Sequence, residues 1–467
     1  VTTPSDDLPE GPRPVQPTLP SNLTGVPDSA ALGSTLATAG SVFSAAPTTA
    51  VSAQRPQKVK VRGKLLKLML SMSVANLAIF SIWGAVPGIL LPLQVQGIVG
   101  NDPTAKAGAL GIIATIGAFA AMVAQPLAGT ISDRTRSRFG RRAPWMVAGS
   151  LIGGLALLGM GASNTLVQIA IAWVIVQVAY NFAQGPLSAI LPDRVPSAVR
   201  GTFAALSGLG LMLGALGGQI AGAAFATAIP AGYLVFAGVA LIVIVLFVVL
   251  NPDKSNKGEP KSEFNFVAFL KTFWVSPVKH PDFFWGFLGR LLLFAGYFMV
   301  TGYQLFILQD YIGLKGGAVA VIPLLGVLSL AGTLISTLVG GPLSDKLGRR
   351  KIVVIVAGVI LAISLLFPLI MPTLTGMMLF SFVAGLGFGA YQSVDTALMS
   401  EVLPSQNDFA KDLGVLNIAA TLPQTLAPGL AGLIVVLAGG SYTPLFPIGI
   451  VIALLGAVAV LPIKSVR

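Results

Sequence analysis

From about residue 65 onward, the chain alternates long apolar stretches with short polar or charged breaks. A membrane-spanning helix needs about 20 apolar residues. Twelve stretches have that character, at roughly 68–96, 107–131, 144–163, 165–191, 202–228, 230–250, 282–311, 317–343, 352–371, 374–402, 412–438 and 443–463. Hydrocarbon satisfies no backbone polar group, and these runs are too long for barrel strands, so helices are expected. The first 57 residues are different: rich in Pro, Ser, Thr and Ala, with nine prolines and no apolar period, they read as disordered. The first apolar run starts too late for a signal peptide. A longer break at 251–281 splits the spans six and six. The expected parts are therefore a tail (1–63), a first bundle (64–250), a linker (251–281) and a second bundle (282–467). In the linker, Phe266, Phe269, Leu270, Phe273 and Trp274 recur at helical spacing, as in a short interfacial helix.

Composition agrees. Hydrophobic residues make up 54% of the chain and charged residues only 10%, against about 25% charged in soluble proteins. The mean hydropathy is +0.85. The net charge of +12 could suggest nucleic acid, but the positions of the charges answer otherwise. With both termini cytoplasmic, 26 of the 29 Lys and Arg fall in the tails and even-numbered loops. Such an asymmetry fixes orientation and supports twelve spans in a cell membrane. The basic cluster Arg55, Lys58, Lys60, Arg62, Lys64 and Lys67 fits an anchor on anionic headgroups. Three basic residues break the rule: Lys106, Arg290 and Lys315. Cysteine is absent and His280 is the only histidine, which excludes thiolate chemistry and a histidine-based metal centre. No nucleotide loop or nucleophile elbow is found, so neither enzyme activity nor a cofactor is expected.

The two halves repeat a motif. Gly129-Thr-Ile-Ser-Asp-Arg-Thr-Arg-Ser-Arg-Phe-Gly-Arg-Arg142 is echoed by Gly341-Pro-Leu-Ser-Asp-Lys-Leu-Gly-Arg-Arg350. The offset is 212 through Ser132/Ser344 and 208 from Gly140/Gly348, so the first copy carries four extra residues. The offset of 208 then persists through Gln184/Gln392, Asp193/Glu401 and Pro196/Pro404. Two copies of one six-helix fold, related by an axis along the membrane normal, are expected.

This motif after spans two and eight resembles the signature of the major facilitator superfamily. The longer first copy, running on to Trp145, is similar to the glycoside–pentoside–hexuronide cation symporters and related sucrose carriers. The resemblance implies an all-α membrane protein with twelve helices in two pseudo-symmetric six-helix bundles, rocking around a midplane site. It also implies a sugar or glycoside as the solute, a proton or sodium ion as coupling partner, and a monomer. Cytoplasmic gating would fall to Asp133, Arg141, Arg142, Asp193 and Arg200, with Asp345, Arg349, Arg350 and Glu401 in the second half. Asp133 is expected against the start of span eleven, and Asp345 against the start of span five. Arg141 or Arg142 should approach Asp193, and Arg349 or Arg350 should approach Glu401.

In that superfamily spans one, four, seven and ten line the cavity. Their candidates here are Asn76, Trp83, Tyr180, Asn181, Gln184, Tyr303, Gln304, Tyr391 and Gln392. Amides and aromatic faces suit sugar hydroxyls and ring C–H groups. Gln184 and Gln392 are expected to face each other, because the repeat relates them. The first-half spans hold no acid away from their cytoplasmic ends, so coupling would rest on Arg290, Asp310 or Asp395. A lone charge in mid-membrane costs about 2.5 kcal/mol or more, and Arg290 and Asp395 sit at similar depth, so an ion pair is expected. Gly210, Gly214, Gly218 and Gly222 form a period of four on span five, a smooth face for close packing. The rival readings are a metabolite or drug exporter on the same fold, and a receptor or scaffold acting through the tail.

Overall fold

The computed structural model describes residues 61–258, 277–347, 349–401 and 409–463; the side chains of 341–343, 345, 347, 396–397, 399–401 and 409–421 lie outside the description. So do the tail before residue 61 and the linker residues expected to form an interfacial helix. Every regular element among the described residues is a helix, with no strand among them.

Twelve spans follow in order: α1 (Lys64–Val99), α2 (Pro103–Arg134), α3 (Ala143–Gly161), α4 (Leu166–Arg194), α5 (Arg200–Ala224), α6 (Ile229–Leu250), α7 (Pro281–Thr301), α8 (Ala318–Leu347), α9 (Arg350–Ile370), α10 (Leu374–Glu401), α11 (Phe409–Leu437) and α12 (Leu445–Ala459). Ten are long and apolar enough to cross a membrane over their described residues; α12 and the described part of α11 are shorter apolar helices. One face of the molecule carries the first and last described residues, 61 and 463, and the basic loops, and is called the basic face below. The other, carrying the loop Gly100–Asp102 and its equivalents, is the far face.

Two departures from regular helix matter. In α1, Val86–Leu90 forms a π turn containing Pro87, whose missing N–H breaks the regular ladder. Span seven, expected to be continuous over 282–311, stops at Thr301. It resumes after Gly302 and Tyr303 as a short turn, Gln304–Phe306, and a π turn, Ile307–Tyr311. This break turns Tyr303 toward the other half, and its hydroxyl lies between one backbone carbonyl of each half.

Within each half, small residues let backbones touch. The α5 glycines lie on α1: a Cβ on Gly210, Gly214 or Gly218 would collide with the carbonyl oxygens of Ser73, Leu77 and Ser81 in turn. Two period-four rows thus mesh without side chains between them. In the second half, α8 and α10 do the same with hydroxyls added. Thr337 donates to the carbonyl of Gly389 at 3.3 Å, and the Thr333 hydroxyl, bonded to Ser329 O at 2.8 Å, lies 3.3 Å from Gly385 O.

Candidate functional site

The halves meet in the far-face portions of their helices. There α2 packs on α11 through glycines. A Cβ on Gly111 would lie 2.7 Å from the Tyr303 hydroxyl and 3.1 Å from Pro428 O, and one on Gly108 would lie 3.2 Å from Val436. Tyr303 is within hydrogen-bond distance of Ala107 O (3.0 Å) in the first half and Pro428 O (2.8 Å) in its own. Beside it, Lys106 Nζ and Asp310 Oδ1 form an ion pair at 2.9 Å between the halves. The Lys106 side chain is only 1% exposed, and its ammonium also sits over the Phe306 ring, 5.0 Å from the centroid. Tyr442 completes this corner from the loop after α11. Burial, and then the Asp310 carboxylate, holds its phenol well above the ordinary value, so it stays protonated. On the opposite flank, Gln219 and Leu216 of α5 abut Gly326 of α8.

Beneath this seam lie two cavities, of about 200 and 240 Å³. The larger is bordered by Trp83, Trp173, Gln125, Gln177, Asn181, Gln424 and Thr425, and reaches past the midpoint of α2 toward the basic face. The smaller is bordered by Gln219, Gln304, Ser329, Thr333 and Ser381, with Tyr297 and Phe388. Phe298 borders both, and neither has a charged side chain among its described lining residues.

Of the nine expected binding residues, Trp83, Asn181 and Gln304 border a cavity. The others lie elsewhere. Gln184 is a supporting residue, whose Oε1 accepts from the Trp83 indole N–H at 3.2 Å. Tyr180 packs edge-on against Trp83, as does Trp173. Gln184 and Gln392 are each 5% exposed and border neither cavity. Asn76 is buried and donates to Met72 O one turn back, which satisfies an amide inside a helix without any ligand. Asn181 makes the same kind of bond to Gln177 O. Tyr303 belongs to the seam, and Tyr391 donates to Asp395 Oδ1 at 2.7 Å.

Sequence reasoning missed Trp173, Gln177, Gln125, Gln424 and Thr425. They lie on α2, α4 and α11, and one signal was available: Trp173 and Gln177 stand two turns and one turn before Asn181 on the same face of α4.

Of the coupling candidates, Arg290 Nη1 and Asp395 Oδ2 pair at 3.2 Å inside the second half, with side chains 12% and 7% exposed. The guanidinium also lies over Phe294, 5.6 Å from the centroid. Phe294 in turn touches Phe388 of the cavity wall. The pair thus sits one aromatic layer behind the cavity. Asp310, the other acid among the coupling candidates, lies at the far-face seam.

On the basic face, Arg142 is the hub. It reaches Asp133 Oδ1 (2.6 Å), Asp193 Oδ2 (3.1 Å) and Ser132 Oγ (3.0 Å), and Arg141 also reaches Asp193 Oδ2 (2.9 Å). Arg200 does not pair with Asp193. It donates to Pro192 O and Val195 O, capping the orphan carbonyls at the end of α4. The side chains of Asp345 and Glu401, and those opening α11, lie outside the described residues, so the expected Asp133–α11 and Arg350–Glu401 contacts do too. Arg349 is exposed and Arg350 half-buried at the start of α9.

Two six-helix halves, a largely apolar cavity between them that carries a few amides and two tryptophans, and a seam closing one face are the architecture of a membrane carrier. The profile of the Major Facilitator Superfamily matches residues 68–337 and 316–466, and the chain belongs to that superfamily. The chain is similar to the sucrose transport protein SUC4 of Arabidopsis thaliana, at 29% identity over 188 residues, covering 35% of each chain. It is also similar to the lactose permease of Leuconostoc lactis (25% over 174 residues; 33% of this chain, 26% of the permease). A third relative is the general alpha-glucoside permease of Schizosaccharomyces pombe (27% over 161 residues; 31% and 28%). These matches span about a third or less of each relative's length. Among solved structures, the nucleoside transporter NupG superposes with a TM-score of 0.66 at 16% identity, covering 86% of this chain and all of that one. A D-xylose-proton symporter superposes at 0.63 and 16%, covering 87% and 98%.

Proposed function

We propose that the chain is a secondary transporter for an uncharged sugar or glycoside, working by alternating access. The observation that carries this is the cavity between the halves, whose mostly apolar wall sets Trp83, Trp173 and the amides Gln125, Gln177, Asn181 and Gln424 around one space, with no charge among its described lining residues. Amides donate to and accept from hydroxyls, and the indole faces offer a surface for ring C–H groups. An anionic or cationic solute would meet no counter-charge among the described residues there. The sugar-carrying relatives support the same reading.

With both termini in the cytoplasm, the basic face is cytoplasmic and the far face external. The conformation is then closed outside at the Lys106–Asp310 and Tyr303 seam, with its larger cavity extending inward. Asp395 is the coupling group in this reading. Protonation of its carboxyl would release Arg290 and let a proton accompany each transport cycle. Asp133, Arg141, Arg142 and Asp193 stiffen the cytoplasmic end of the first half.

The test is flux in proteoliposomes holding the purified chain, with labelled sucrose, lactose, maltose and glucose, under an imposed pH or sodium gradient. Saturable uptake of at least one sugar, lost in Trp83→Ala, is the expected result. Uptake of none of them, with efflux of lipophilic cations, would replace this reading with the exporter.

A further inference from the structure

The four extra residues of the first motif copy have no part in the transport reading. They fall between Arg134 and Gly140, where the second copy has only Leu347. The structure gives them a partner, the first residues of the linker. Ser137 N–H donates to Asn256 Oδ1 at 3.0 Å, and Asn256 Nδ2 donates to Thr135 O at 2.9 Å. The Asn256 backbone N–H donates to Ser137 O at 3.3 Å. A single amide side chain, 7% exposed, thus closes the loop as a backbone strand would.

Three more contacts hold the same segment. Asp253 Oδ1 pairs with Arg194 Nη2 at 2.7 Å. Arg194 Nη1 donates to Asn251 O at 3.0 Å. Asn251 Nδ2 donates to Ser71 Oγ at 2.9 Å. Gly140, at φ +80°, is where the loop turns, and a Cβ there would lie 2.6 Å from Asp253 Oδ2, so the approach depends on glycine.

The braced loop carries Arg141 and Arg142 directly after Gly140, and Arg194 directly follows Asp193. The linker therefore grips both partners of the Arg142–Asp193 network: the loop through Asn256, and the end of α4 through Asp253. In the second half, Ser344 matches Ser132, yet its hydroxyl is buried with no hydrogen-bond partner among the described residues, while Ser132 is held by Arg142. We propose that Asn256 and Asp253 are positioning residues, which fix the Arg141/Arg142–Asp193 network through the extra loop residues and so set the balance between the two access states. The linker segment 251–256 then travels with the first half as part of it.

The chain lacks cysteine, which supplies a clean probe. Gly108→Cys places a thiol against Val436 in the far-face seam, where a maleimide reagent reacts once α2 and α11 part. Labelling rates are measured on the purified full chain in detergent, without any solute, so a failure of the sugar reading leaves the experiment intact. Asn256→Asp and Asp253→Asn, both near-isosteric, should each change the rate by about threefold or more, in the same sense as Asp193→Asn. Added to Asp193→Asn, neither should change it further. An unchanged rate, a change of opposite sign, or an equal further change in the Asp193→Asn background would overturn the proposal. Purely structural support would give that last result.

Discussion

Two buried ion pairs can be set side by side. Lys106–Asp310 joins the first half to the second at the far face, and Arg290–Asp395 joins α7 to α10 inside the second half. Each has a basic residue at 12% exposure or less, and each uses one of the three basic residues that defy the inner-loop charge rule. Their mechanical settings differ. A pair shared by two bodies exists only while the bodies touch; when the seam parts, both charges regain water. In the alternating-access reading proposed above, its energy therefore enters the equilibrium between access states. A pair inside one body persists in both states and affects folding, unless its charge changes. The repeat sharpens this contrast. At the offset of 208, Asp395 corresponds to Leu187 and Tyr391 to Ala183, both fully buried. The fold fills that place with hydrocarbon in one half, so the charges in the other half are not an architectural need.

The largest effect should come from stranding a charge inside the second half. Asp395→Leu leaves Arg290 buried without its partner, which costs about 3–5 kcal/mol. Thermal unfolding in detergent should show a large fall in midpoint. Adding Arg290→Met should recover most of it, because a well-packed apolar pair replaces a buried ion pair at little cost. The double variant then separates structure from coupling. It is expected to fold and to equilibrate solute across the membrane, but not to accumulate it. Accumulation at the parental level would reduce the pair to a structural tie.

The seam pair should respond differently. Lys106→Met strands Asp310 only in the closed-seam state. About 2 kcal/mol lost there shifts the equilibrium roughly thirtyfold toward opening. Maleimide labelling of Gly108→Cys should rise accordingly, while unfolding changes less than for Asp395→Leu. Exchanging the charges, Lys106→Asp with Asp310→Lys, should bring labelling back toward the parent. The comparison fails if Asp395→Leu accelerates labelling as much as Lys106→Met does.

Most of the fold was legible because hydropathy and charge act on whole spans. Twenty apolar residues in a row leave the backbone little choice, and the basic loops fix direction. The break in span seven was hidden because Thr301, Gly302, Tyr303 and Gln304 are polar or small positions that a continuous cavity-lining helix would also carry; the contact of Tyr303 across the seam accounts for it. The Arg290–Asp395 pair was legible because depth along two helices can be counted. The cavity was less so. Reading polarity as direction misplaced Asn76, since a buried amide can be satisfied one turn back on its own helix. It also missed Trp173, because a tryptophan in an apolar run shows its direction only through its register, here with Gln177 and Asn181 on the same face of α4. Asp310 and Lys106 were each noticed, yet pairing residues 204 apart needs the two halves docked.

The smallest effect worth measuring tests the same contrast with no charge at all. Gly111 and Gly218 both allow a close helix contact, but one lies between the halves and the other within the first. A methyl at Gly111 meets the Tyr303 hydroxyl at 2.7 Å and Pro428 O at 3.1 Å. The tyrosine can tilt away, at the expense of its hydrogen bonds to Ala107 O and Pro428 O. Gly111→Ala should therefore weaken the closed seam by about 1 kcal/mol, roughly fivefold in labelling, and leave unfolding nearly unchanged. A methyl at Gly218 meets the Ser81 carbonyl, which belongs to a helix backbone and cannot rotate aside. Gly218→Ala must push α5 off α1, at a cost of about 1–3 kcal/mol in stability. Because that contact is the same in both access states, labelling of the Gly108→Cys thiol should not change. If Gly218→Ala alters labelling as Gly111→Ala does, then α1 and α5 slide during the cycle, and the first half is not the rigid body that the comparison of the two ion pairs requires.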